Sequence, residues 1–250
     1  MSIPRGLSRR DLGRAAVLAG GALATVAADG MAPARADTPC DLQLILAVDT
    51  SGSVNQVRFE LQKQGYVAAF RNPRVVKAIR SGMTQAIAVS MVQWTGQYLQ
   101  QTVVPWTLLK DEATTHRFAA AIEAAPRQLF SGGTSISGVV DHGRSEMFAR
   151  SPFSGGRRVI DISGDGANNR GRPAGEARDD AVKAGITING LPIMGLEPFL
   201  DEHYKSQVIG GVNAFMVVAS SYDAFADAIL KKLITEIATP GDPARGASFA

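Results

Sequence analysis

The chain has 250 residues, enough for one large domain or two small ones, with 26 basic and 23 acidic residues and an ordinary 45% of hydrophobic residues. Residues 1–36 hold five arginines (Arg5, Arg9, Arg10, Arg14 and Arg35) against Asp11 and Asp29, which leaves twenty-one charges of each sign in the remainder. That neutral balance excludes a nucleic-acid-binding reading based on charge, and a lone cysteine, Cys40, excludes an intrachain disulfide.

The amino-terminal run Ser8-Arg9-Arg10-Asp11-Leu12 resembles a twin-arginine export signal. A small-residue apolar stretch follows from Ala15 to Ala28, and Ala34-Arg35-Ala36 is an A-x-A cleavage signal. The stretch is shorter than the ~20 apolar residues of a spanning helix. The expectation is a leader over 1–36, a mature chain from Asp37, and no stable membrane span after cleavage. The location implied is the periplasm of a Gram-negative bacterium, or the medium. Thr38-Pro39 supplies no lipobox before Cys40, which reads as a free or strand-edge thiol; an intermolecular bond is the alternative.

Beyond the leader, strands and helices alternate. The apolar run Leu42–Val48 predicts a strand buried on both faces. A helix follows over Val54–Phe70, with Val54, Val57, Leu61, Gly65 and Ala68 on one face, and Asn72-Pro73 breaks it before a short helix over Arg74–Arg80. Ala86–Trp94 is a second strand. Thr102–Trp106 is a third, placed at an edge because Pro105 cannot donate to a ladder. Helices are expected over Asp111–Ala125 and Ser135–Ala149, and a fourth strand over Val159–Ser163. Pro173–Ala184 is a helix ended by Gly185, and Ile186–Ile193 a fifth strand. Glu197–Ile209 is expected to be helical, Ala214–Ala219 a sixth strand, and Tyr222–Ala238 a final amphipathic helix. The domain thus spans 37–238, and 239–250 is a Pro/Gly/Ala-rich tail. The pattern predicts an α/β fold: a doubly wound, mostly parallel six-stranded sheet of order 3-2-1-4-5-6, with helices on both faces.

In such a sheet, ligands bind beyond the carboxyl ends of the strands where the order reverses, here between strands one and four. Asp49 ends the first strand and Asp165 lies just past the fourth. Ser51 and Ser53 follow Asp49 directly, and Thr134 follows Gly132-Gly133. Hydroxyls and carboxylates are hard oxygen ligands, suited to Mg²⁺, with Mn²⁺ or Ca²⁺ as alternatives, rather than to zinc or copper.

Asp49-x-Ser51-x-Ser53, a Thr after a Gly pair, and Asp165-Gly166 after a strand form the pattern of the metal-ion-dependent adhesion site. On these residues the chain resembles the von Willebrand factor A family, over roughly Asp41 to Ala238. Gln93-Trp94, Pro105-Trp106 and Asp161-Ile162-Ser163-Gly164-Asp165-Gly166 add a resemblance to exported proteobacterial single A-domain proteins of unknown function. The resemblance implies a Rossmann-like fold and a divalent cation. It implies that Ser51 and Ser53 bind the ion directly, that Thr134 does so in a ligand-ready state, and that Asp49 and Asp165 act largely through water. The implied function is protein binding: a partner's Asp or Glu carboxylate becomes a further ligand of the metal.

A metal-dependent hydrolase using the same strand-end aspartates is the alternative, but its chemistry needs a nucleophile or general-acid carboxylate beside the ion. Val48-Asp49-Thr50-Ser51 is not the Asp-Thr-Gly loop of an aspartic protease, and Gly133-Thr134-Ser135-Ile136-Ser137 misses G-x-S-x-G at its last position. The chain is therefore read as a binding protein, with no catalytic residues assigned. Asp161, inside an apolar strand, is read as a structural carboxylate bonded to backbone or to an arginine. Trp94 is either a rim anchor or a core residue. Asn168 and Asn169 either line the partner surface or sit in a solvated loop. His116, His142 and His203 lack metal-ligand spacing.

Overall fold

The structure, a computed structural model, describes residues 38–239. The expected leader over 1–36, and the tail except Thr239, lie outside the described residues.

Among the described residues five strands form one sheet: β1 (Thr38–Asp49), β2 (Ile87–Trp94), β3 (Gln100–Leu109), β4 (Phe153–Gly164) and β5 (Thr187–Pro192), in the order β3-β2-β1-β4-β5. β1 pairs in parallel with β2 and β4, and β4 with β5, while β2 and β3 are antiparallel. The sheet is therefore mixed and five-stranded, against the six mostly parallel strands expected. The expected sixth strand follows β5 only through isolated bridges, Gly190 to Met216 and Ile193 to Ala219. Two local causes interrupt that ladder. Pro192 has no N–H to donate, and the Phe215 N–H is taken at 2.8 Å by the Asn189 side chain. β1 and β4 are longer than their apolar runs, because residues 38–42 pair with 153–157 ahead of the buried stretch. Pro105 falls where the β2–β3 register shifts, on an edge strand, where a missing donor is tolerated.

Successive residues of β1 point to opposite faces. Leu42, Leu44, Leu46 and Val48 enter a core beneath α1 (Gln56–Arg71), α2 (Pro73–Arg80), α3 (Glu112–Ala124) and α7 (Phe225–Ala238). Ile45 and Ala47 enter a second core beneath α4 (Ile136–His142), α5 (Ala174–Lys183) and α6 (Leu200–His203). α4 and α6 each run on into a π-helical turn, Gly143–Met147 and Tyr204–Val208. In α1 the inward stripe is Phe59, Gln62, Tyr66 and Phe70, while Val57 is exposed. Of the expected face Val54 and Gly65 are buried and Leu61 half-buried, but Val57 and Ala68 are exposed, because the stripe turns to bury the larger aromatic side chains. Trp94 is fully buried in the second core, so its core reading holds. The Cys40 thiol is buried in β1 and its pKa is pushed up to about 11 by that burial. Asp161 is paired with neither backbone nor arginine: its partner is Lys232 of α7.

Candidate metal centre

β1 lies at the centre of the sheet, so its carboxyl end is held on both sides, and Asp49 there is fully buried. The chain turns sharply after it. The Ser51 N–H donates to Asp49 Oδ1 at 2.7 Å, the local bond by which an Asp side chain shapes its own turn. Ser51 Oγ then stands 3.1 Å from Ser53 Oγ, and Ser53 Oγ donates to Asp165 Oδ1 at 2.6 Å. Four of the five residues expected from the sequence are thus linked in one chain of contacts. The fifth, Thr134, immediately precedes Ser135, the N-cap of α4. Its Oγ1 lies 3.5 Å from the point where a Cβ on Gly166 would stand, next to Asp165. Gly132 and Gly133 have φ of 127° and 87°, backbone that glycine alone adopts readily, and this brings Thr134 in.

The loop after β4 clamps Thr134. Its N–H donates to Asn169 Oδ1 at 2.9 Å, and its carbonyl accepts from the N–H groups of Asn169 and Arg170. Asn168 Oδ1 accepts from the Ser137 N–H, and the Asn168 N–H donates to His203 Nε2 at 3.3 Å. Both asparagines fix the loop, Asn168 half-buried and Asn169 exposed at its rim, and His203 accepts a hydrogen bond from it.

Several groups at the site have no signature in the sequence. Tyr222, just ahead of α7, donates its hydroxyl to Asp165 Oδ2 at 2.7 Å. The Arg58 guanidinium lies 3.7 Å from the same oxygen and donates to the Ser53 carbonyl at 2.7 Å. Arg127 donates to the carbonyls of Thr50 and Ser51. Gln62, buried in α1, donates to the Asp49 carbonyl at 3.2 Å. Their only sequence signal is position on an element that reaches the carboxyl end of the sheet.

The electrostatics of the cluster favour a cation. Asp49 Oδ2 is buried and makes no well-directed hydrogen bond among the described residues, though the Asp165 backbone N–H lies close enough to favour the carboxylate's charge. Burial first, and the nearby Asp165 charge after the opposing Ser51 N–H bond, push the Asp49 carboxyl up to about 7. A Cβ on Gly164 would stand 2.9 Å from Asp49 Oδ2 and 3.0 Å from the Tyr204 hydroxyl, so only glycine leaves both groups their space. The other oxygen groups of the cluster are the Ser51, Ser53 and Thr134 hydroxyls and the Asp165 carboxylate. No group of three or more His, Cys, Asp or Glu among the described residues is placed to hold a metal. The donor set therefore fits a hard divalent cation and not a thiolate or imidazole site.

A family model described as "Protein of unknown function (DUF1194)" matches residues 39–241. The chain belongs to that family. Comparison with curated proteins gives no match. Among solved structures it is similar to proximal thread matrix protein 1 from the mussel byssus, one form of which has a zinc-occupied MIDAS motif. For that form the identity is 16% and the TM-score 0.56, over 81% of this chain and 48% of that one. It is similar to a von Willebrand factor type A protein from Catenulispora acidiphila, at 16% identity and TM-score 0.56, over 79% of this chain and 43% of that one. It is also similar to the SpRpn10 VWA domain, at 14% identity and TM-score 0.51, over 76% of this chain and 94% of that one. The chain spans about half the length of the first two. At these identities the likeness is one of fold, and the fold is that of the von Willebrand A domains.

Proposed function

We propose that this DUF1194 member is an exported, divalent-metal-dependent protein-binding domain, and not an enzyme. One observation carries the reading: Asp49, whose buried Oδ2 makes no well-directed hydrogen bond among the described residues, belongs to a cluster in which Ser51, Ser53 and Asp165 are in contact and Thr134 lies against Gly166. An ion seated there would be held by Asp49, Ser51, Ser53, Thr134 and Asp165. It would supply an electrophilic centre for one more anionic oxygen, an Asp or Glu of a protein partner. Mg²⁺ suits the oxygen set, with Mn²⁺ or Ca²⁺ as alternatives. The zinc-occupied motif of the mussel protein supports a divalent cation in general.

Binding is favoured over hydrolysis because the polar groups beside the two aspartates are already committed. The Tyr222 hydroxyl donates to Asp165, Glu197 accepts from the Ala167 N–H, and His203 accepts from the Asn168 N–H. A general acid or base needs a group free to exchange its proton. Export rests on the arginine pair and the A-x-A signal in residues 1–36. Among the described residues no helix is long and apolar enough to cross a membrane.

The deciding experiment is calorimetric titration of the metal-stripped protein with Mg²⁺, Mn²⁺, Ca²⁺ and Zn²⁺, beside Ser51→Ala and Ser53→Ala. The expected result is stoichiometric binding of at least one ion, weakened in both variants. Equal affinity in parent and variants would place the metal elsewhere. Amino-terminal sequencing of protein from its native host tests export, with Asp37 expected as the first residue.

A further inference from the structure

Three arginines surround the oxygen cluster; Arg58 shares the Asp165 carboxylate, and Arg127 and Arg170 meet no carboxylate among the described residues. Arg58 is held by the Ser53 carbonyl, with Asp165 Oδ2 at 3.7 Å and the Tyr222 ring centroid at 5.3 Å. Arg127 is held by the carbonyls of Thr50, Ser51 and Leu129, and its guanidinium lies 4.8 Å from the centroid of Phe130. Arg170 is exposed and donates to the Asn169 carbonyl. Its Cγ lies 2.6 Å from where a Cβ on Gly133 would stand, one residue from Thr134. Backbone carbonyls orient these groups without cancelling their charge. Neither Arg127 nor Arg170 forms an ion pair with a carboxylate among the described residues. The rim's own carboxylate, Glu197, spends Oε2 on the Ala167 N–H.

Large exposed apolar groups lie near Arg127 and the Gly132-Gly133 turn. Phe130 is 59% exposed, Tyr98 85% and Leu99 42%. Leu99 lies against Gly132, 2.6 Å from the place of its absent Cβ. The three arginines and these side chains therefore frame the loops that carry Ser51, Ser53 and Thr134. Arginine and aromatic residues exposed together are what protein-recognition surfaces are enriched in.

We propose that the partner segment is an acidic cluster with an apolar side chain: one carboxylate for the metal, at least one more for Arg58, Arg127 or Arg170, and an aromatic or aliphatic group for the Phe130–Leu99 side. This rests on the metal-dependent binding reading above and specifies its partner. A single carboxylate answers the ion but leaves Arg127 and Arg170 unmatched and Arg58 sharing Asp165. Charge complementarity of this kind sets specificity and encounter rate more than raw affinity. The exposed apolar groups beside Arg127 and Gly132 favour a peptide over a uniformly charged polysaccharide.

The test uses fluorescein-labelled synthetic peptides and the full chain. One peptide carries three glutamates around a phenylalanine; the other carries a single glutamate among serines. An alginate oligomer is the polysaccharide probe. Fluorescence polarisation is read in Mg²⁺ and in chelator, for the parent, Arg170→Gln and Arg58→Gln. Mg²⁺ titration of each variant reports whether the ion site survives. The expected result is preference for the clustered peptide, loss of binding in chelator, and weakening of about three- to tenfold in each variant. The proposal is overturned if the single-glutamate peptide binds as well, if both arginine variants match the parent, if no peptide binds while Mg²⁺ does, or if alginate binds more tightly than the clustered peptide. The metal reading fails differently: the parent takes up no ion, which overturns both, or peptide binding survives chelation while still weakening in the arginine variants, which leaves the rim standing alone.

Discussion

The Lys232 ammonium stands 2.7 Å from Asp161 Oδ1, and neither side chain has any exposure to solvent. The contact is ionic rather than a well-directed hydrogen bond. It sits in a buried polar patch on the sheet, where Glu236 meets Arg157 at 3.2 Å and accepts from Asn189, and Lys232 lies 4.8 Å from the Phe215 ring centroid. α7 is thus tied to β4 at mid-strand by charge, and at the metal end by the Tyr222–Asp165 bond.

The first prediction concerns that pair. Lys232→Met leaves Asp161 buried without compensation and is expected to cost about 3–5 kcal/mol. Adding Asp161→Leu removes the orphaned charge and is expected to restore most of the loss. Urea denaturation followed by circular dichroism measures both. A double variant no more stable than the single one would show that the two residues do not act as a unit.

Asp49→Asn separates function from stability. Its folded pKa is raised, from 3.8 to about 7, so its favourable contribution is complete at acid pH and is lost as the pH rises through about 7. At pH 8 the metal-free parent holds an ionised, buried carboxylate. The isosteric amide is then expected to be the more stable, by up to about 4 kcal/mol. Divalent-ion affinity is expected to fall about 10- to 100-fold. Thermal melts with chelator and calorimetry with Mg²⁺ read the two effects. A metal-free Asn variant less stable than the parent at pH 8 would contradict the burial argument.

Gly164→Ala places a methyl group between Asp49 Oδ2 and the Tyr204 hydroxyl, at 2.9 and 3.0 Å. Backbone conformation is no obstacle at this position, so the effect is steric alone. Overpacking of this kind is expected to cost about 1–3 kcal/mol, with a loss of ion affinity because Asp49 must move. Restored affinity in Gly164→Ala with Tyr204→Phe would trace the defect to the hydroxyl.

His203 should make the loop after β4 pH-sensitive. Burial holds its imidazole below the ordinary 6.5, opposed by the nearby Glu197 charge. With a depressed folded pKa, its contribution is present above 6.5 and is lost as the pH falls below that value through the folded pKa. Protonation converts Nε2 from acceptor to donor and breaks the bond from the Asn168 N–H. Hydrogen exchange over residues 166–170, corrected for intrinsic rates, should quicken between pH 7.5 and 5.5 in the parent. His203→Gln should abolish that dependence; an identical pH profile in both proteins would dismiss the switch.

Legibility in the sequence followed the locality of each cause. The five strands, and the convergence of Asp49, Ser51, Ser53 and Asp165 at the carboxyl ends of β1 and β4, are readable, because buried parallel strands are continuous apolar runs and a reversal in strand order sets those ends side by side. The sixth strand was over-read. Residues 214–219 have the right composition, but what decides their pairing is a side chain elsewhere, Asn189, and a missing donor at Pro192. The same non-locality hid Arg58, Tyr204 and Tyr222. Each matters through a contact that exists only once the helices dock. Asp161 looked like a structural carboxylate and is one, but its counter-ion lies 71 residues away in α7, where no motif points to it.

The site draws Asp49 from the first described strand, and the two tethers of α7 come from its last helix and the turn before it. A polypeptide is synthesised from its amino end, so the acidic half of each tether is made long before its hydroxyl or ammonium. A nascent or proteolysed chain lacking everything after residue 221 would carry Asp161 in an apolar strand with no counter-charge, beneath an uncovered groove lined by Leu46, Tyr66 and Val67. The Asp161 charge is then uncompensated, so the domain is expected to reach its full stability only once its last helix has docked.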